Sequence, residues 1–155
     1  MADNRLARLL HGRDWGGTGL ENLVVIVEDD ANLRDNLVYL LKAERIRAIA
    51  APDGMAGQAL IRKHRPKVVL IDMYLPHKSG FEVIDDLRGD PILEHIFVIG
   101  TSGMAENAED LADMKGRADM MLPKPIDDRS LIDAIRKVLN GSNDTPGLRR
   151  HLGGA

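Results

Sequence analysis

The segment Val68-Val69-Leu70-Ile71-Asp72 decides how the rest of the chain can fold. Four apolar residues, three of them β-branched, run directly into one carboxylate. Such a run is typical of a strand that is buried on both faces, as in a parallel sheet. Asp72 then stands at the carboxyl end of the strand, which is the edge where open α/β sheets bind ligands. The role of Asp72 therefore depends on which other side chains lie at that edge.

The composition of the chain limits the classes of protein to which it can belong. The chain has 155 residues, of which 29% are charged and 44% hydrophobic, which is ordinary for one soluble globular domain. A net charge of −3 indicates no general affinity for nucleic acid or for an anionic membrane. The absence of cysteine excludes disulfides, thiolate metal sites and cysteine nucleophiles. No apolar run approaches the roughly 20 residues that span a bilayer, and no signal peptide is evident, so we expect a cytoplasmic protein.

Strand and helix patterns alternate along the chain. Residues 1–22 are expected to form an extension or linker, 23–139 one domain, and 140–155 a disordered tail. Predicted strands cover 23–27, 46–50, 67–71, 96–99 and 119–122. Predicted helices cover 31–43, 53–64 with Asp53 as N-cap, 79–88 with a Ser79–Glu82 capping box, 106–115 and 128–139. In the second of these helices, Ala56, Ala59 and Leu60 are expected to face inward. This alternation predicts an α/β fold, a doubly wound sheet of five parallel strands.

Polar residues follow the predicted strands, and parallel strands bring them to one edge. These residues are Glu28-Asp29-Asp30 after strand one, Asp72 after strand three, Thr101-Ser102 after strand four, and Lys124, between Pro123 and Pro125, after strand five. Close carboxylates repel one another unless a cation joins them, and ligands that are all oxygen favour Mg²⁺. An aspartate can also act as a nucleophile and become an aspartyl-phosphate. Simpler interpretations stay open: Asp30 as a helix N-cap, Lys124 as a surface lysine and Thr101 as a loop cap.

These motifs, in this order, resemble the receiver (CheY-like) domain of bacterial two-component response regulators. The resemblance covers about residues 23–139. It rests on Glu28-Asp29, on Asp72 with Met73-Tyr74-Leu75-Pro76 and Gly80, on Thr101-Ser102, and on Lys124-Pro125. It implies the flavodoxin-like (βα)5 fold with strand order 2-1-3-4-5.

The resemblance also implies roles for the acidic residues. Asp72 would accept a phosphoryl group from a sensor histidine kinase or a histidine phosphotransfer protein. Asp29, Asp72 and the backbone carbonyl of Tyr74 would hold Mg²⁺ directly, and Glu28 would help through a bound water. Tyr74 is also expected to shield the acyl phosphate from water and so to affect its lifetime.

The remaining implied roles fall on the later strands. Lys124 would pair with the phosphoryl oxygens, and Thr101 would move toward them and couple the site to the face formed by the fourth helix, fifth strand and fifth helix. A cis peptide bond is expected before Pro125. Met121 stands where the family often has Tyr or Phe, three residues before the lysine, and methionine can still repack there. The glycines Gly100 and Gly103 are expected to make the Thr101 loop mobile.

The resulting hypothesis is a single-domain response regulator, a signalling phosphoacceptor rather than an enzyme. The segments outside 23–139 are too short for an output domain, so the signal would pass on through binding of a protein target or through onward phosphotransfer in a phosphorelay. The protein would be a monomer or a phosphorylation-dependent dimer. The alternative is a receiver-fold interaction module that works without phosphate. A phosphohydrolase is disfavoured, because Tyr74 occupies the position where such an enzyme commonly has its general acid.

Overall fold

The computed structural model describes residues 22–103 and 108–141, in which five strands alternate with five helices. The strands are β1 (Leu23–Val27), β2 (Arg47–Ala51), β3 (Val68–Asp72), β4 (Phe97–Ser102) and β5 (Met120–Pro123). The helices are α1 (Ala31–Ala43), α2 (Gly54–His64), α3 (Gly80–Arg88), α4 (Ala108–Arg117) and α5 (Asp128–Leu139). The predicted order of elements is confirmed, with small shifts at their ends. The expectations for residues 1–21 and 142–155 lie outside the described residues.

The strands form one parallel sheet in the order β2-β1-β3-β4-β5, so the predicted topology is confirmed. β3 lies at the centre, between β1 and β4. Asp72 at its end is therefore flanked by the carboxyl ends of both neighbouring strands. None of the helices in the described parts of the chain is long and apolar enough to cross a membrane.

Each face of the sheet carries its own hydrophobic core. Alternate residues of β1 point to opposite faces: Val24 and Ile26 pack with α1 and α5, whereas Val25 and Val27 pack with α2, α3 and α4. Both sets are at most 1% exposed. The strands are covered on both sides, and this explains why their sequences are continuous apolar runs instead of alternating ones.

The prediction for the inward face of α2 is wrong for Ala59 but not for Leu60. Ala59 is exposed, whereas Leu60 is half-buried and packs against the core on this face of the sheet. Ala56 is also half-buried, and the buried residues include Gly57 and Ile61. A Cβ at Gly57 would lie 2.6 Å from Val27 Cγ2, so α2 approaches β1 most closely at this glycine. The close approach rotates the helix so that Gly57 and Ile61 face the sheet and Ala59 faces solvent.

Candidate functional site

Three carboxylates meet at the carboxyl edge of the sheet. Asp72 is the last residue of β3, and Glu28 and Asp29 directly follow β1. Each of the three offers a carboxylate oxygen that lies within 4.8 Å of the other two. Glu28 and Asp72 are buried and Asp29 is exposed, so the cluster has one side open to solvent. The expected convergence of these side chains is confirmed.

Lys124, which follows β5, joins two of these carboxylates. Its Nζ lies 2.7 Å from Asp72 Oδ2 and 2.9 Å from Glu28 Oε2. Its backbone N–H donates to the carbonyl of Ser102 at 3.1 Å, which continues the pairing of β4 and β5 past Pro123. The simple interpretation of Lys124 as a surface lysine is therefore wrong, because it pairs with two buried carboxylates. The Lys124–Pro125 peptide bond is cis, as expected.

Burial and pairing change the proton affinity of this cluster. Burial raises the pKa of Glu28 above its ordinary value, and the hydrogen bond from Lys124 only partly opposes that rise. For Lys124, burial alone would lower the pKa, but the hydrogen bonds to Asp72 and Glu28 outweigh it and raise the pKa. Lys124 therefore stays cationic at neutral pH, while the ionised form of Glu28 is held at a cost.

The carboxylate of Asp72 is fixed by two donors, one on each oxygen. Lys124 donates to Oδ2, and the backbone N–H of Tyr74 donates to Oδ1 at 2.9 Å. The backbone of Tyr74 thus lies at the site. Tyr74 is 43% exposed, and its ring packs edge-on against Phe81, with ring centroids 6.0 Å apart. Its effect on the phosphoryl lifetime stays a prediction.

Asp30 and Arg34 shape the turn that carries the acidic pair. Asp30 Oδ1 accepts the N–H of Leu33 at 2.9 Å, so Asp30 is the N-cap of α1 and not part of the carboxylate cluster. Its own N–H donates to Glu28 Oε1 at 3.2 Å. Arg34 Nη1 donates to the carbonyl oxygen of Glu28 at 2.9 Å and approaches that of Asp29 at 3.4 Å. Sequence reasoning missed Arg34, because its partners are backbone atoms that no motif reveals.

Thr101 and Ser102 belong to β4 itself, and the prediction that they follow the strand is wrong. The N–H of Met73 donates to the Thr101 carbonyl at 3.0 Å, so the strand pairing continues beyond residue 99. Thr101 is the register partner of Asp72 and is 1% exposed. Partners in adjacent parallel strands project from the same face, so Thr101 is the immediate neighbour of Asp72.

Gly100 also has a different role from the expected one. It is a buried strand residue and not part of a mobile loop. A Cβ at this position would lie 2.5 Å from Met121 Sδ and 3.1 Å from Met73 Sδ. The glycine therefore makes room for two methionine sulfurs directly beside Thr101. Met121, in the position where the resemblance implies a switch partner, lies over the backbone of Gly100, next to Thr101.

The site as a whole combines a partly solvated group of oxygen ligands with a fixed ammonium. Oxygen ligands of this kind suit a hard divalent cation, and the open side at Asp29 leaves access for one. A carboxylate positioned beside a lysine and a cation site can act as a nucleophile toward a phosphoryl group.

Comparison with known proteins agrees with this geometry. The family model "Response regulator receiver domain" matches residues 24–136. The polar-differentiation response regulator DivK of Brucella anthropi is 32% identical over 116 residues, which are 75% of this chain and 94% of that protein. The DNA-binding response regulator MtrA of Mycolicibacterium paratuberculosis is 26% identical over 79% of this chain, which spans only 53% of that protein.

A solved structure has the same fold. It is the receiver domain of a sensor histidine kinase from Pseudomonas aeruginosa, with a magnesium ion coordinated in its active-site cleft. The two chains are 17% identical with a TM-score of 0.70, over 77% of this chain and 98% of that one. The matches in sequence show that the chain belongs to the response regulator receiver domains of two-component signal transduction.

Proposed function

We propose that this receiver domain accepts a phosphoryl group on Asp72 from a phosphohistidine of a sensor histidine kinase or a histidine phosphotransfer protein. The observation that supports this most is the placement of the Asp72 carboxylate. One oxygen lies 2.7 Å from the Lys124 ammonium, and the carboxylates of Glu28 and Asp29 lie beside it. Asp72 is buried to 6% exposure at the end of the central strand, so few other orientations are open to it.

In the proposed transfer, an oxygen of Asp72 forms a bond to phosphorus as the bond between phosphorus and the imidazole nitrogen breaks. The electron pair of the broken bond returns to the imidazole, which takes up a proton. Lys124 neutralises charge on the phosphoryl oxygens as the group arrives. The backbone N–H of Tyr74 holds the second oxygen of the Asp72 carboxyl group in place. Thr101 is positioned next to Asp72 to donate its hydroxyl to a phosphoryl oxygen.

The donor set fits Mg²⁺. Asp29, Asp72 and the backbone carbonyl of Tyr74 are the proposed direct ligands, and Glu28 acts through a water molecule. All are oxygen donors, which is what this cation prefers. When bound, Mg²⁺ would offset the repulsion among the carboxylates and the charge of the phosphoryl group. The raised pKa of Glu28 supports the proposal, since it indicates that Lys124 alone does not fully compensate the buried charge.

The signal is proposed to leave through protein binding or onward phosphotransfer. Phosphorylation adds charge beside Thr101 and so shifts the equilibrium between two arrangements of the protein surface, which a partner distinguishes. Met121 lies over Gly100 next to Thr101 and borders an apolar hollow of about 260 Å³ between α4 and β5. We propose that Met121 carries the rearrangement outward in place of an aromatic side chain.

Incubation with acetyl phosphate and Mg²⁺, followed by intact mass measurement, tests the proposal. The wild-type chain should gain one phosphoryl group, and EDTA should prevent the gain. Asp72→Asn should gain none, whereas Asp35→Asn, an exposed acid on α1, should behave as wild type. Equal masses for treated and untreated wild type would favour the alternative, an interaction module of receiver fold that works without phosphate.

A further inference from the structure

A second concave surface lies at the opposite edge of the sheet. We call it the amino-edge groove: Arg65, Lys67 and His95 form its rim, and Ile92, Phe97 and Val138 are among its apolar lining. It encloses about 630 Å³. Lys67 directly precedes β3, whereas Asp72 ends it, so the length of the strand, roughly 15 Å, separates the groove from the acidic site.

The apolar part of the groove can make hydrophobic contacts. Phe97 and Val138, at 2% and 6% exposure, form its floor. Ile92 stands at its side with 51% of its surface exposed, and it is one of the few large apolar side chains of the described residues that face solvent. Covering such a side chain would contribute on the order of 1 kcal/mol. A ligand with large apolar groups therefore fits the floor.

The charge of the rim has one sign. Arg65, Lys67 and His95 are all exposed, and no acidic residue is among those that line the groove. Across residues 22–103 and 108–141, neither Arg65 nor Lys67 forms an ion pair with a carboxylate. The chain as a whole is acidic, with a net charge of −3, so this positive rim is a local feature. It is complementary to carboxylates.

We propose that the amino-edge groove binds a short acidic segment of a partner protein, in which carboxylates alternate with large apolar side chains. The apolar side chains would cover Ile92 and the floor, and the carboxylates would pair with Arg65 and Lys67. Nucleic acid fits less well, because two full cations neutralise too few phosphates on an acidic chain. The chain's own residues 142–155 also fit less well, since they carry Arg149 and Arg150 against the single acid Asp144.

The backbone at Arg65 permits a clean test. Arg65 adopts the left-handed conformation with φ 46°, as does Arg45 with φ 60° at the end of α1. Glycine accepts this conformation without steric cost, so Arg65→Gly removes the guanidinium and adds no backbone strain at this position. Arg45→Gly makes the same change outside the residues that line the groove, so it is the matched control.

Fluorescence anisotropy on the full chain measures the binding. The probe is a labelled peptide of alternating glutamates with leucines and phenylalanines, and a second peptide replaces each glutamate by lysine. The glutamate peptide should bind, and salt should weaken it. Arg65→Gly and Lys67→Met should each lower the affinity roughly fivefold, as should Ile92→Ser. Arg45→Gly and Asp72→Asn should bind as wild type does, which separates this site from the phosphoacceptor site.

Several results would overturn the proposal. One is equal affinity for the two peptides, and another is an Arg65→Gly variant that binds as tightly as wild type. Tighter binding of a single-stranded oligonucleotide than of the glutamate peptide would point to nucleic acid instead. In the full chain, nuclear Overhauser contacts between Ile92 and residues 142–155 would assign the groove to the chain's own segment. Urea unfolding of each variant confirms that it is folded under the conditions of the binding assay.

Discussion

Lys124→Met should destabilise the protein far more than its partial exposure indicates. Lys124 Nζ contacts Asp72 at 2.7 Å and Glu28 at 2.9 Å, and these two side chains are only 8% and 3% exposed. Both carboxylates would lose their cation while staying out of water. Removing one partner of a buried pair costs about 3–5 kcal/mol. Because Lys124 itself is 23% exposed, we expect a loss of about 2–3 kcal/mol in the free energy of unfolding.

Urea unfolding in EDTA measures this loss, and Lys78→Met is the matched control. Lys78 is 21% exposed, much like Lys124, but its partner Asp86 is 45% exposed. A pair of that kind contributes less than about 1 kcal/mol. Mg²⁺ should restore most of the stability of Lys124→Met, because it supplies the missing positive charge and no longer competes with an ammonium. If the two variants lose equal stability in EDTA, the electrostatic account of the site is wrong.

Three further predictions concern Glu28, Gly100 and Asp119. Burial raises the pKa of Glu28, so the ionised carboxylate opposes folding above that pKa, and this cost disappears as the pH falls. Glu28→Gln should therefore be more stable than wild type at neutral pH in EDTA. Thermal unfolding should show that the difference in stability shrinks toward acid pH. Gly100→Ala should lose about 1–3 kcal/mol in urea unfolding because its Cβ meets Met121 Sδ at 2.5 Å, and Met121→Ala should recover much of that loss in the double variant. Asp119→Ala should lose about 3 kcal/mol by the same assay, because its fully buried side chain accepts from Arg88 at 2.7 Å and from the N–H of Val98 at 2.8 Å.

The sheet and the acidic site could be predicted because they depend on local pattern and topology. The apolar run from Val68 to Ile71 fixes a strand that is covered on both faces, and parallel strands must bring their carboxyl ends to one edge. Glu28, Asp72 and Lys124 therefore meet, although up to 96 positions separate them along the chain (124 − 28). The capping box of Ser79 and Glu82 is equally local and is present.

Other features could not be predicted because they depend on tertiary contact. The inward face of α2 is set by the approach of Gly57 to Val27, which no helical period reveals. The sequence marks Gly100 as a flexible residue, but Met73, which directly follows β3, and Met121 of β5 fill the space beside it. Arg34 acts on backbone carbonyls, and the amino-edge groove draws on separate segments of the chain.

Locating the phosphoryl group after transfer from a phosphohistidine tests the central claim most directly. The chain is incubated with a labelled phosphorylated histidine phosphotransfer protein and Mg²⁺, and the product is treated with borohydride, which reduces an aspartyl-phosphate to homoserine. Peptide mapping should place the homoserine at position 72 and nowhere else, and the label should be absent from Asp72→Asn. Labelling that persists in Asp72→Asn, or a homoserine at position 29, would contradict the account.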